Sequence, residues 1–481
     1  MGAAVKAIAL QGLRRRALSL GAAKALDHAL QFLLPVVLVR CLDTATFGEY
    51  RLLWLAVGTL MYVATFNMPQ SLFFFLPRSD ARLKRLYINQ TLVFLGFSGL
   101  ACAFLVSPWN PLRPSALEPL MAYGPLVPAF ILLWLLTYAL DFLPTVDERI
   151  RWQSAVSISL SLLRVLLVGI GAFFTGSMEA LLWLLLAFVL VRLSVLLLYI
   201  KKFHGLHRPV FDKDLFRTQL RQAAPLGMSN ALYGLRWQAD QWIAAFLFSL
   251  TQFAAFSISG IFGAIVNVFR ASVNDAFLPS MSRLQAAGDA RGMVELNSRA
   301  NVMVGVLLYP LLACGFVFAE ELITVIYTAA YLEAAPVMRL YIVAFCVMVL
   351  ELGSLVLLLD EGRYALRINV VNLLLSIAVS VAGALTLGLW GAALGGVLAI
   401  YLDRALLLRR IALRTGIPVR RLQDWRGLAL ALGFSSLAAG VAWGIDRRFL
   451  GGEGALERLI AGGFVLAAAY GSIFLIRKAA R

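Results

Sequence analysis

The sequence predicts an all-α polytopic membrane protein of about fourteen transmembrane helices, arranged as two six-helix lobes in parallel repeat plus two extra C-terminal helices. Three observations predict it. Of 481 residues, 61% are hydrophobic and only 14% are charged. Soluble globular proteins carry about 25% charged residues, so most of this surface must face lipid. The chain also divides into apolar runs, each near the roughly 20 residues that cross hydrocarbon as a helix. Finally, the basic residues alternate from loop to loop as the positive-inside rule requires.

The runs are 17–42, 52–68, 88–107, 120–140, 154–174, 179–200, 223–248, 252–275, 300–319, 336–359, 367–387, 389–408, 427–444 and 458–476. With both termini assigned to the cytoplasm, 31 of the 43 Lys and Arg fall in inside segments. Six lie outside (Arg40, Arg51, Arg113, Arg447, Arg448 and Arg458), and six lie within spans (Lys24, Arg164, Arg192, Arg236, Arg339 and Arg404). A missed or invented helix would break the alternation from that point on. The expected organisation is a basic N-terminal segment 1–16, an N-lobe 17–200, a linker 201–222, a C-lobe 223–408, a loop 409–426 and a closing pair 427–481. Lys6 and Arg14–Arg16 precede a run that holds Lys24, Asp27 and His28 and lacks a small-residue cleavage site. That run reads as a retained first span, not a signal peptide, and the expected location is a bacterial inner membrane.

The net charge of +17 does not point to nucleic acid. The basic residues sit in short loops, and none is interleaved with aromatics at a stacking spacing. Cys41, Cys102, Cys314 and Cys346 lie in apolar runs with no His nearby, so they read as small hydrophobes. His204 and His207 have no Cys or carboxylate at metal-ligand spacing. No phosphate-binding glycine loop or nucleophile elbow is present. The expectation is a transporter with no catalytic residue, no metal and no cofactor, driven by the membrane potential or by a proton or sodium gradient.

A repeat is visible at an offset of 206 residues. Leu42-Asp43-x-x-x-Phe47-Gly48-x-Tyr50 corresponds to Phe248-Ser249-x-x-x-Phe253-Ala254-x-Phe256. Six spans per repeat give both lobes the same orientation, and transporters built from such repeats bind substrate between them.

Several segments resemble the polysaccharide transporter (O-antigen and exopolysaccharide flippase) branch of the multidrug/oligosaccharidyl-lipid/polysaccharide exporter superfamily. They are Phe47-Gly48-Glu49-Tyr50, Asp240, Pro279 with Arg283 and Gly288-Asp289, Pro310, and Tyr331 with Ala334-Ala335-Pro336. Gly362-Arg363, Asn369, Asn372 and Gly388-Leu389-Trp390-Gly391-Ala392-Ala393 complete the set. The order and spacing carry the resemblance, which covers most of the chain. One departure is Arg236, which stands where that family is more apolar. The resemblance implies a fourteen-helix flippase that moves an undecaprenyl-pyrophosphate-linked oligosaccharide outward. It implies membrane lipids around the protein and a polysaccharide polymerase and chain-length proteins as partners.

Ionisable groups inside a membrane cost about 2.5–3.5 kcal/mol each at mid-span, so each needs an account. Lys24, Asp27, His28 and Gln31 fall on one helix face. They either line a cavity for an anionic head group or neutralise one another. Arg236 and Asp240, spaced i, i+4, either bind phosphate and carry a proton or pair with each other. Arg164 and Arg192 have no acidic neighbour within one turn and need a partner from another helix or a ligand. Arg192 and Arg270 are substrate-binding candidates as well, and both could instead snorkel toward the cytoplasmic side. Asp27, Asp240 and Glu351 are ion-coupling candidates, and Asp403 adjoins Arg404 as a structural pair. Gly391-x-x-x-Gly395 and Gly440-x-x-x-Gly444 permit close helix contact, and Pro35 and Pro310 could kink their helices.

Two other functions compete. A glycosyltransferase or polymerase needs a substantial outside loop bearing carboxylates, which is missing. A cation-coupled drug antiporter has twelve spans and an acidic cavity, whereas Lys24, Arg164, Arg192 and Arg236 favour an anionic substrate. An interior-negative potential is worth about 2.3 kcal/mol per charge per 100 mV, so outward movement of a pyrophosphate would be favoured without ATP.

Overall fold

The computed structural model describes residues 29–112, 114–205, 211–449 and 452–479, with the side chains of 473–479 excepted. The described residues form helices joined by short turns, with no strand among them. The chain divides into two compact units, Met1–Leu235 and Arg236–Arg481. The longer helices of the first are α1 (Ala29–Cys41), α2 (Thr44–Ala64), α3 (Met68–Phe75), α4 (Ala81–Leu105), α5 (Leu126–Leu136), α6 (Ile150–Thr175), α7 (Met178–Phe203) and the start of α8 (Lys213–Leu247). The second holds the end of α8, then α9 (Leu250–Ile258), α10 (Ile261–Ala286), α11 (Ala290–Val317), α12 (Ala319–Tyr327), α13 (Ala334–Met348), α14 (Gly353–Leu358), α15 (Gly362–Leu387), α16 (Leu394–Thr415), α17 (Trp425–Phe449) and α18 (Ala455–Ala479).

Every expected span coincides with a helix or a helix pair, the first over its described part only. Among the described residues, 9 helical stretches are long and apolar enough to cross a membrane, or 10 with α2 and α3 counted as one bent span. The number fourteen is therefore not itself reached by length and apolarity. α13 falls short because the helix breaks at Val349–Leu352. α8 is polar over much of its length, with Gln219, Gln222, Asn230, Arg236, Gln238, Asp240 and Gln241.

The repeated motif is a helix start in each unit. Asp43 Oδ1 accepts hydrogen bonds from the Ala45 and Thr46 amides, at 2.9 and 3.0 Å, and opens α2. Ser249, 206 residues later, opens α9 with a capping box shared with Gln252. Phe47, Tyr50, Phe253 and Phe256 then point into the core, each at most 3% exposed.

The bend of 44° between α2 and α3 is built by Phe66 and Asn67, both at positive φ (45° and 59°). It does not fall at Pro35 or Pro310, and α11 stays helical through Pro310. α8 lies against this bend through glycines. A Cβ on Gly227 would lie 2.6 Å from the Phe66 carbonyl carbon, and one on Gly234 would lie 2.2 Å from the Tyr62 ring. This contact ties the first part of α8 to the first unit. The division between the two compact units falls inside α8.

The first unit is held by Leu72, Phe75, Tyr87, Leu143, Leu196 and Tyr199, and by a buried amide network. Gln219 accepts from Gln90 at 2.8 Å and donates to Ser71 and Thr91 at 2.8 and 2.9 Å. In the second unit α15 and α16 touch backbone to backbone: a Cβ on Gly395 would lie 2.1 Å from the Ser376 carbonyl oxygen. Gly391-x-x-x-Gly395 thus packs an internal helix pair. Gly440-x-x-x-Gly444 does not among the described residues, where no atom lies within 4 Å of a Cβ at either position. The close-packed face of α17 is built from alanines instead, with Ala438, Ala439 and Ala442 buried beside Phe318 and Leu466.

Candidate functional site

In the second unit Arg236 and Asp240 share one face of α8 and line one small cavity of about 90 Å³. That is room for a few water molecules. Asp240 is 6% exposed, and its partner is not Arg236. Its Oδ2 accepts the Tyr341 hydroxyl from α13, and its Oδ1 accepts the Gln241 amide at 2.9 Å. α16 closes the cavity with Gly396, where a Cβ would lie 2.8 Å from Asp240 Oδ2. Ser376, also on its wall, has a buried hydroxyl with no hydrogen-bond partner among the described residues.

A second polar cluster gathers at the break between α13 and α14. Glu351 pairs with Arg270 at 3.2 Å. Its backbone amide donates to Asn301 at 3.0 Å, and its carbonyl accepts from Asn297 at 2.9 Å. Gln423 joins both asparagines, at 3.0 and 3.1 Å. An unwound segment exposes backbone groups that need partners, and these amides supply them. Arg404 pairs with Asp403 at 2.9 Å, as the sequence suggests, and Asn372 donates to Asp403.

In the first unit Arg192 is 8% exposed. It meets Asp141 at 2.7 Å and lies over the Trp134 ring at 4.9 Å. The partner demanded by its isolated position is a carboxylate just past α5. Arg164, on α6, is different. Its guanidinium carbon is 5.4 Å from the Trp54 ring, and it makes no ion pair with a described carboxylate. Its Nε and the Trp54 Nε1 are both buried donors with no partner among the described residues. Trp134 and Phe130 complete this aromatic group, at 5.0 and 6.1 Å from Trp54. Gln31 is exposed on α1. Lys24, Asp27 and His28 lie outside the described residues.

The structure thus brings Arg236 together with Asp240, and Arg270 with Glu351. It gives Arg192 a carboxylate and leaves Arg164 with an aromatic group. Tyr341, Asp141 and the Asn297–Asn301–Gln423 set were not singled out from sequence. Asp141 carried a usable signal, since a carboxylate at the edge of the fourth span stood ready for an unmatched arginine. The amides carried none, because uncharged polar residues are common in such helices.

Residues 13–285 match the family described as polysaccharide biosynthesis protein. The chain belongs to this family. Among solved structures it is similar to lipid II flippase MurJ in an inward closed conformation, at TM-score 0.69 and 14% identity, over 95% of this chain and 100% of that one. It is also similar to a multidrug resistance MATE family transporter in its inward-facing conformation, at TM-score 0.60 and 12% identity, over 80% and 95%. A MATE transporter in the straight conformation gives TM-score 0.52 and 12% identity, over 84% and 96%. At these identities the likeness is one of fold. A comparison with curated protein sequences gives no match. The protein is a multi-pass membrane protein.

Proposed function

We propose that the protein is a flippase that carries a polyprenyl-pyrophosphate-linked oligosaccharide from the cytoplasmic to the outer leaflet by alternating access, for cell-surface polysaccharide such as O-antigen or exopolysaccharide. Its place is the bacterial inner membrane, with both termini in the cytoplasm. The observation that carries this reading is Arg164. A guanidinium within an apolar helix, whose Nε is buried with no partner among the described residues, calls for an acceptor, and an oxyanion of a pyrophosphate supplies one. Arg236, taken by itself in the second unit, is proposed from its sequence position as a phosphate-binding residue. An apolar groove of about 560 Å³ in the second unit, lined by residues such as Leu312, Phe316, Ile342, Leu432 and Trp443, offers surface suited to a polyprenyl chain. The family match and the MurJ-like fold support the same assignment.

Asp240, buried beside Tyr341 in a cavity lined by an unpaired Ser376 hydroxyl, is the ion-coupling group in this proposal. It favours a gradient-driven cycle over one driven by the membrane potential alone. A cation-coupled drug antiporter remains the competing reading, since MATE transporters share the fold. Deletion of the gene decides between them. The flippase reading expects undecaprenyl-linked repeat units to remain on the cytoplasmic leaflet and surface polymer to disappear. Unchanged polymer together with raised sensitivity to cationic dyes would overturn it in favour of the antiporter.

A further inference from the structure

The first unit has a second polar feature, at helix ends and away from the membrane-spanning interior. A cavity of about 570 Å³ is lined by Lys84 and Arg85 from the first turns of α4, by Asp147, Glu148 and Arg149 from the turn before α6, and by His204 at the end of α7. Arg164 lies fourteen residues along α6 from its start, roughly 21 Å away at 1.5 Å per residue.

The turn 147–149 is held in an unusual shape. Asp147 Oδ2 receives the Tyr199 hydroxyl at 2.6 Å and meets His204 Nε2 at 2.7 Å. Its carboxylate is thus occupied by groups of α7. Glu148 adopts a left-handed backbone, with φ of 58°, which costs a non-glycine residue about 1 kcal/mol or more. Arg149 follows, with its guanidinium 3.6 Å from the Phe203 ring centre. Stacking fixes the plane of the guanidinium, which also reaches the Tyr199 hydroxyl and, with five N–H donors, can engage a further acceptor. Across the cavity, Lys84 and Arg85 are half-buried and make no ion pair with a described carboxylate. Three cations from two elements therefore line a cavity whose carboxylates are Asp147, engaged by Tyr199 and His204, and Glu148. Like charges gathered around one cavity repel one another. A multivalent oxyanion relieves that repulsion and accepts both point-charge and planar donors.

We propose that this cavity binds a phosphate group, and that the site is separate from the one that handles the transported substrate. The phosphate belongs either to the head group of an anionic membrane lipid, since basic pockets at helix ends recognise such head groups, or to a soluble phosphate. The proposal does not depend on which molecule the protein transports.

The test uses the detergent-purified full chain. Three probes are titrated while bound lipid is counted by native mass spectrometry and Tm is followed: phosphatidylglycerol, phosphatidylcholine and inorganic phosphate. The expected result is saturable binding of phosphatidylglycerol over phosphatidylcholine, weakened about tenfold or more in the Lys84→Ala/Arg85→Ala double variant. Arg149→Ala should weaken it by a similar factor. Lys201→Ala/Lys202→Ala removes equal charge from the end of α7, outside the cavity, and should change binding less than twofold. The charge-preserving Lys84→Arg/Arg85→Lys variant should bind as the native protein does and guards against loss of fold. Competition by inorganic phosphate assigns the site to a soluble anion, and its failure to compete assigns it to a lipid head group. Equal weakening by the Lys201/Lys202 variant would reduce the effect to diffuse surface charge and overturn the proposal. So would a native protein that binds phosphatidylglycerol no better than phosphatidylcholine and does not bind phosphate.

Discussion

Arg164 in the first unit and Arg270 in the second are both guanidiniums on apolar helices, and they are solved differently. Arg270 meets Glu351 at 3.2 Å, and the two side chains are 17% and 16% exposed. Arg164 meets a tryptophan face and no described carboxylate. Arg192, in the same unit as Arg164, has Asp141 at 2.7 Å, so the difference is not a property of the unit. An intramembrane arginine that is given a carboxylate is part of the packing, because removing either partner leaves a charge stranded. One that is given only an aromatic face keeps its hydrogen-bonding capacity for something that arrives. The residue type and the span are alike in these cases; the partner decides.

The comparison breaks most sharply at Arg164. Arg164→Ala should abolish export while the protein still inserts at normal level, since loss of a charge lowers the insertion cost. Loss of charge-assisted hydrogen bonds worth about 1.5–3 kcal/mol each corresponds to roughly 10- to 100-fold in rate. Arg164→Lys keeps the charge without the planar fork and should rescue in part. Flipping assays in proteoliposomes, normalised to protein level, check both. Export at the native rate by Arg164→Ala would remove Arg164 from the substrate path and with it the contrast drawn here.

Arg270→Ala should behave in the opposite way. It strands Glu351 and the amides around the helix break, at a cost of about 3 kcal/mol, and should lower the amount of folded protein. The double variant Arg270→Leu/Glu351→Leu should restore much of that amount. Quantitative immunoblotting and Tm in detergent measure this. Normal levels of Arg270→Ala with export lost would instead make Arg270 a ligand, as one of its sequence readings allowed.

How far the sequence reaches follows from the same residues. The helices were legible because their apolar length and the alternation of Lys and Arg are set by lipid and by membrane orientation, and both act on the chain locally. The helix starts at Asp43 and Ser249 were legible as a repeat because a cap depends on its own neighbours. Partners were not legible. Arg236 and Asp240 have ideal spacing for a pair, yet Asp240 takes Tyr341, 101 positions away. The bend at Phe66–Asn67 has no proline at its centre, and it rests on the approach of Gly227 and Gly234 from a distant helix. Spacing along one helix says which groups could meet; the packing of several helices says which do.

The two glycine pairs of the second unit give a third and milder test. Gly395→Ala would push a methyl to 2.1 Å from the Ser376 carbonyl oxygen, so α15 and α16 must separate, at about 1–3 kcal/mol. Gly440→Ala meets no described atom within 4 Å and should be neutral or slightly stabilising in a helix. Tm values of the two variants should differ by several degrees. Equal values would mean that the α15–α16 contact gives way at little cost.

The smallest expected effect returns to the first unit, where a carboxylate stands outside the apolar helices. Burial pushes the Asp147 carboxyl up. The hydrogen bonds from His204 and Tyr199, with the nearby charges of His204 and Arg149, more than offset this and hold it below the usual carboxylate range. A carboxyl whose folded value lies below its unfolded one contributes stability that is complete above the unfolded value, near pH 4, and is lost as pH falls through the folded value. Above about pH 4 the native protein should therefore melt at a higher temperature than Asp147→Asn. Below about pH 4 that margin should shrink as Asp147 takes up its proton. Because the group is only partly buried, solvent screens it and the margin should be a few degrees at most. Melting curves of the two proteins in one detergent, taken at steps from pH 7 down to pH 3, measure it directly. A margin that stays constant to pH 3 would show that Asp147 acts through its shape and neutral hydrogen bonds. The turn 147–149 would then be fixed by packing on α7, without help from charge.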